Sequence, residues 1–185
     1  MKLVAISALA LLMAGCARGP SLPSYGVVPD FTLTDQSGQA FSSRSQLDGK
    51  VWVANFIFTN CAGPCPRMST QFRKIREETR GRGNFRLVSF TIDPARDTPE
   101  VLAAYSTRFR AKPGEWFFLT GPQPDLHNLS RNVFKLGNID GTFEHSTRFV
   151  LVDSKGRIRG YYDSSDPEKL AELLSHINQL VEAGF

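Results

Sequence analysis

Val51-Trp52-Val53-Ala54-Asn55-Phe56-Ile57-Phe58, followed by Thr59-Asn60-Cys61-Ala62-Gly63-Pro64-Cys65-Pro66, is the stretch on which the reading of this chain turns. Its first half is apolar on both parities apart from Asn55, the pattern of a strand covered on both faces. Beyond the cysteines, Met68, Phe72 and Ile75 recur at spacings of four and three, which predicts an amphipathic helix to about Arg80, ended by Gly81 and Gly83. The two cysteines therefore fall on a strand-to-helix turn. Backbone N–H groups at a helix start carry partial positive charge, which favours thiolate over thiol. With the first turn helical from Cys61, the four-residue offset puts both sulfurs on one side. They can then share a soft metal ion or close into a disulfide.

Working outward, Phe85 to Ile92 reads as the next strand. Asp93-Pro94-Ala95-Arg96-Asp97-Thr98-Pro99-Glu100 is a loop into a helix, with Thr98 as N-cap and Pro99 at the first helical position. Leu102, Tyr105 and Phe109 form that helix's apolar face. Trp116 to Leu119 is a third strand. Asp125 caps a helix carrying Leu126, Leu129, Val133 and Leu136, and Gly137 to Glu144 is a loop. Phe149 to Val152 and Ile158 to Tyr162 form a hairpin about Asp153-Ser154-Lys155-Gly156. Asp166-Pro167 opens a last helix with Leu170, Leu173, Leu174, Ile177, Leu180 and Val181 on one stripe. Upstream, Phe31 and Leu33 alternate with polar residues as in a half-buried strand, Ala40 to Ser42 returns, and Ser43 to Leu47 makes a helical turn. This order gives an α/β fold, a mixed β-sheet with helices on both faces.

A chain of 185 residues is long enough for one domain with a sizeable core, and its 22% charged residues are scattered rather than clustered, which argues against nucleic-acid binding. The N-terminus reads differently. Lys2 precedes an apolar run from Leu3 to Met13 that is of signal-peptide length, and Leu12-Met13-Ala14-Gly15-Cys16 resembles a bacterial lipobox. The expected organisation is a signal peptide over 1–15, a lipidated tether over 16–27 beginning at Cys16, and a folded domain over 28–185. The protein is then an exported, membrane-anchored lipoprotein facing the periplasm or cell exterior. With Cys16 committed to lipid, Cys61 and Cys65 are the only pair left of three cysteines. A disulfide between them closes a very short loop and restrains the unfolded chain little, so the pair's purpose is chemical rather than structural.

In an open α/β sheet, sites lie outside the carboxyl ends of the parallel strands. Cys61 and Asp93 each follow such a strand. His145 precedes the Phe149 strand, whose start lies at the same edge if it runs antiparallel. Two thiolates and an imidazole form a soft set that suits Cu(I), and Cu(II) with an added oxygen ligand, whereas structural zinc requires a fourth protein ligand. His145 also reads as a hydrogen-bonded loop histidine, and Asp93 as a turn residue before Pro94. Met68 reads as core, and His127 and His176 as surface residues on helices. Arg67 and Arg148 flank the candidate site.

These residues resemble the Sco/SenC family, the thioredoxin-like copper proteins that help build cytochrome c oxidase. Phe58-Thr59-Asn60-Cys61 with Cys65-Pro66 is similar to that family's F-T-x-C-x-x-x-C-P, and Thr91 to Pro99 to its [ST]-x-D-P-x-R-D-T-P. His145-Ser146 with Leu151, Asp153 and Gly156 is similar to its H-S…L-x-D-x-x-G. The resemblance implies a thioredoxin-like domain with Cys61, Cys65 and His145 as copper ligands and Asp93 as a functional aspartate beside them. It implies delivery of copper, or of reducing equivalents, to the binuclear copper centre of oxidase subunit II or another exported copper protein. Ala62 departs from the pattern, which often has proline there, and Pro64 precedes the second cysteine instead. The reading is thus of a copper-binding assembly factor rather than a turnover enzyme. The alternative is an exported thiol–disulfide oxidoreductase using the same cysteines, although such enzymes usually carry C-x-x-C and a proline where His145-Ser146-Thr147 stands. A peroxidase of the same superfamily ranks third.

Overall fold

The computed structural model describes residues 21–136 and 146–183. In chain order the elements are β1 (Thr32–Asp35), β2 (Ala40–Ser42), α1 (Ser43–Leu47), β3 (Val51–Ile57), α2 (Pro64–Glu78), β4 (Phe85–Thr91), α3 (Pro99–Arg108), β5 (Trp116–Thr120), α4 (Gln123–Asn128), β6 (Arg148–Val152), β7 (Ile158–Asp163) and α5 (Pro167–Glu182). The strands form one sheet in the order β2-β1-β5-β4-β3-β6-β7. β3, β4 and β5 run parallel, while β1 and β6 run against their neighbours.

Every residue of β3 is buried, as its unbroken apolar run requires. Its two faces sort the core into two layers. Val51, Val53 and Ile57 pack under α2, α3 and α5, against Phe72, Leu102 and Ile177. Trp52, Ala54 and Phe56 face α1 and α4, against Leu47, Leu126 and Phe134. The expected mixed sheet with helices on both faces is what forms.

Three local departures have physical causes. α2 starts at Pro64, not at Cys61, because a proline at the first helical position has no N–H to leave unpaired. Cys61 therefore sits in the preceding loop. α4 starts before Asp125 and passes into one π turn over Leu129–Val133, closed by the Phe134 N–H on the Leu129 carbonyl at 2.8 Å. The wider turn buries Phe134, where an unbroken α-helical period points to Val133. His176 is not a free surface group: its Nδ1 shares a 2.7 Å hydrogen bond with the buried Tyr162 hydroxyl.

The segment read as a tether is held from Leu22 onward. Tyr25 N–H donates to Ile158 O at 2.9 Å, Ile158 N–H to Gly26 O at 2.9 Å, and Val28 N–H to Gly156 O at 2.8 Å, so the segment pairs antiparallel with the start of β7. Arg159 completes the clamp. Its guanidinium donates to the carbonyls of Pro23 and Leu22 and, at 2.8 Å, to Asp153. Leu22 packs against the α2-side core. Composition misses this because Tyr25, Gly26 and Val28 pair through their backbones, and the clamping side chain lies far along the chain. Among the described residues no helix is long and apolar enough to cross a membrane.

Burial alone raises the Asp153 carboxyl. The Arg157 N–H, the Arg159 and Arg157 guanidiniums and the Lys155 N–H outweigh it and hold the group below the ordinary carboxylate range. The clamp's contribution is thus fully present above the unfolded value of about 4 and is lost as pH falls through the folded one. Arg159→Ala is expected to lower stability by about 1–3 kcal/mol, the cost of leaving a buried partner unpaired. It should also open the chain before Val28 to limited proteolysis; a cleavage pattern like the parent's contradicts the clamp.

Candidate functional site

The pairing of β3 with β4 extends from Val51↔Phe85 to Ile57↔Thr91, and Ile92 N–H continues it onto the Ile57 carbonyl at 2.9 Å. Two loops therefore leave the same sheet edge side by side, 58–63 and 92–98. The first carries Cys61 and leads into Cys65, the second residue of α2. The second carries Asp93 and Asp97.

Cys61 is 9% exposed; its N–H donates to the Phe58 carbonyl at 3.3 Å, and its Sγ accepts the Gly63 N–H at 3.4 Å. Cys65 is 1% exposed, and both cysteines are free thiols. Burial pushes the Cys65 thiol up to about 12. The Phe58 backbone opposes this, while a hydrogen bond to the Cys61 side chain and the charges of Cys61 and Asp97 add to it. The helix start does not make a thiolate of Cys65, as the sequence suggested, because loss of water outweighs the helix-terminus field. At neutral pH Cys65 is a protonated thiol lying against a second sulfur. One turn along α2, the Ser69 hydroxyl shares a buried 3.1 Å hydrogen bond with Tyr105, whose phenol burial pushes up to about 12.

The two aspartates divide their roles in a way the sequence did not disclose. Asp93 turns to the surface and pairs with Arg96 at 2.7 Å. Its carbonyl accepts the Arg96 and Asp97 N–H groups, which folds the loop back on itself. Asp97 is 1% exposed and welds the loops together. It accepts the Thr59 N–H at 3.1 and 3.3 Å, the Thr59 hydroxyl at 2.5 Å and the Thr91 hydroxyl at 2.5 Å. Asp97 was quoted in the sequence only as part of a motif. The signal that marks it is the pair of threonines, one at each strand end, waiting for an acceptor.

The other candidates fall as follows. His145 and Cys16 lie outside the described residues. β6 starts at Arg148 and runs antiparallel to β3, with Ala54 opposite Val150, so its first residues are at the edge of the cysteine loop. Met68 is fully buried in the core, and Arg67 and Arg148 are exposed. Among the described residues no group of three or more His, Cys, Asp or Glu side chains is gathered to hold a metal. The described part of the site is the dithiol and the carboxylate beneath its loop.

A mixed sheet with a buried dithiol on the turn from a central parallel strand to its helix defines a thioredoxin-like domain, here with three residues between the cysteines. The chain belongs to the SCO1/SenC family, whose sequence model matches residues 21–182. It is similar to a SCO1/SenC family lipoprotein from Bacillus anthracis, 30% identical, with 83% of this chain and 94% of that one covered and a TM-score of 0.73. It is also similar to BsSco, a member of the Sco family of cytochrome c oxidase assembly proteins in which a disulfide switch has been identified. That match is 28% identical, covers 88% and 96% of the two chains and has a TM-score of 0.75. Yeast Sco1 with copper bound is 25% identical, covers 85% and 95%, and has a TM-score of 0.62.

With burial holding the Cys65 thiol well above the ordinary cysteine value, its thiolate fraction at pH 8 is far below that of a free cysteine. Alkylation of the reduced, metal-free protein by iodoacetamide, mapped by mass spectrometry, is expected to be slower at Cys65 than at a free cysteine by at least about tenfold. A rate at Cys65 like that of free cysteine contradicts the protonated, buried thiol.

Proposed function

We propose that Cys61 and Cys65, joined by His145, hold one copper ion as cargo, for delivery to the copper centre of cytochrome c oxidase or another exported copper protein. The observation that carries this reading is the buried dithiol, two free thiols on one strand-to-helix turn at the edge of the sheet. Sulfur is a soft donor suited to Cu(I), and a histidine nitrogen extends the set to Cu(II). The donors fit copper better than zinc, which in a structural site takes four protein ligands. Copper entry displaces the thiol protons, so binding is coupled to proton release. The yeast relative with copper bound and the family's tie to oxidase assembly support the assignment. Asp93, paired with Arg96 beside the cysteine loop, supports the site from outside the ligand set.

A second reading rests on the same pair of thiols. Joining Cys61 to Cys65 in a disulfide releases two electrons and two protons, which reduce one disulfide of a target protein. The disulfide switch of BsSco is a precedent for that chemistry in a relative.

The localisation follows from Cys16. Residues 1–15 act as a signal peptide and Cys16 carries lipid, a reading supported by the relative from Bacillus anthracis being a lipoprotein. Because the chain is clamped from Leu22 onward, only six residue steps separate that lipid from the folded domain. At about 3.3–3.6 Å per residue they reach no more than about 22 Å, which keeps the domain against the membrane that holds its partner.

Copper titration against a competing chelator, with the parent beside Cys61→Ser, Cys65→Ser and His145→Ala, tests the site. One copper per chain is expected in the parent and none in either cysteine variant. His145→Ala should weaken binding by at least the 10- to 100-fold typical of losing an outer partner. Binding indifferent to the cysteines contradicts the assignment. Target reduction that survives His145→Ala but not Cys61→Ser moves the function to dithiol exchange.

A further inference from the structure

Among the described residues, the buried Asp97 carboxyl has no cation to meet it. It is 1% exposed and takes part in none of the ion pairs among the described residues. Its partners are all neutral donors: the Thr59 N–H at 3.1 Å and the hydroxyls of Thr59 and Thr91, each at 2.5 Å. Such bonds orient a carboxylate and hold its loop, but they do not cancel its charge. A buried charge is normally paired or ligated, because its loss of water is costly. Here the unpaired charge lies beneath the loop that begins at Phe58 and carries Cys61, and its field reaches Cys65. The place that can receive a compensating cation is the dithiol.

We propose that Asp97 is the fixed counter-charge of the copper site and sets its preference between oxidation states, favouring Cu(II) over Cu(I). This rests on the copper reading above and extends it from which metal is held to which form is held more tightly. With two thiolates, Cu(II) makes a site of zero net charge and Cu(I) one of −1. Reduction of the bound ion, Cu(II) plus one electron from an external reductant giving Cu(I), adds negative charge near a carboxylate that cannot move away or be screened by water. The same interaction favours the more positive ion. Asp97 does not touch copper in this arrangement. It acts through its field and, by way of Thr59, through the loop, so a purely mechanical role must be separated from the electrostatic one.

Asp97→Asn and Thr91→Val separate them in the full chain. Asparagine keeps the shape and an acceptor for the threonines but removes the charge; valine removes the Thr91 hydroxyl, with its bond to Asp97 and the one it accepts from Asp93 N–H, and leaves the charge. Cu(I) and Cu(II) affinities are measured by chelator competition for the parent and both variants. Asp97→Asn is expected to lower the Cu(II)-to-Cu(I) affinity ratio by about tenfold, a rise of about 59 mV in the potential of the bound ion. Thr91→Val should shift both affinities together and leave the ratio within about twofold. If Asp97→Asn does not fold, Asp97→Ser, which retains a hydroxyl for the threonines, carries the same expectation. An unchanged ratio in a variant that still binds copper overturns the counter-charge role and leaves the copper reading standing. A parent that binds neither ion overturns both.

Discussion

The parallel pairing of β3 with β4 is the constraint on which the site depends. Seven paired positions, buried on both faces of β3, fix how far each strand extends and hence where its loop departs. A shift of one residue would turn Val53 and Ile57 from one helix layer to the other and lift Thr59 away from Thr91. With the register set, the two loops meet, and Asp97 bonds to the threonine at each strand end. The cysteine loop is thus anchored by a carboxylate from the neighbouring loop in addition to the bond its own Cys61 N–H makes to Phe58.

That arrangement explains the state of the dithiol. Cys65 is buried in the first turn of α2, and burial, the neighbouring Cys61 and the charge of Asp97 all keep its proton on. A thiol of this kind is a poor nucleophile at rest and a good receiver of a soft cation, because a cation relieves the charge imbalance that a thiolate would worsen. Burial, the carboxylate and the soft donors therefore point to one chemistry. The N-terminal clamp belongs to the same logic at larger scale: Arg159 and Asp153 convert most of a polar linker into part of the domain, and what remains of it is short.

Much of this was legible in the sequence, for identifiable reasons. The unbroken apolar run of β3 and the stripes of α2 and α5 gave the layers, because burial on one or two faces writes its own period. The motifs around Cys61, Cys65 and Thr91 to Pro99 carried the family. What the sequence hid were properties of three-dimensional surroundings. The position of a loop aspartate relative to a threonine 38 residues away cannot be read from either one, and so the bonding of Asp97 went unseen in the sequence. The helix-start argument for a thiolate was sound in direction but ignored desolvation, which depends on what covers Cys65. Leu22 to Val28 looked unstructured because its pairing is through the backbone.

The central claim is that copper is held by the sulfurs of the strand-to-helix turn. X-ray absorption at the copper edge, on the full chain loaded with one equivalent of Cu(I), tests it most directly. The account predicts two sulfur scatterers per copper in the parent and no sulfur-bound copper in Cys65→Ser. A first shell of nitrogen and oxygen alone, the same in parent and variant, would contradict it.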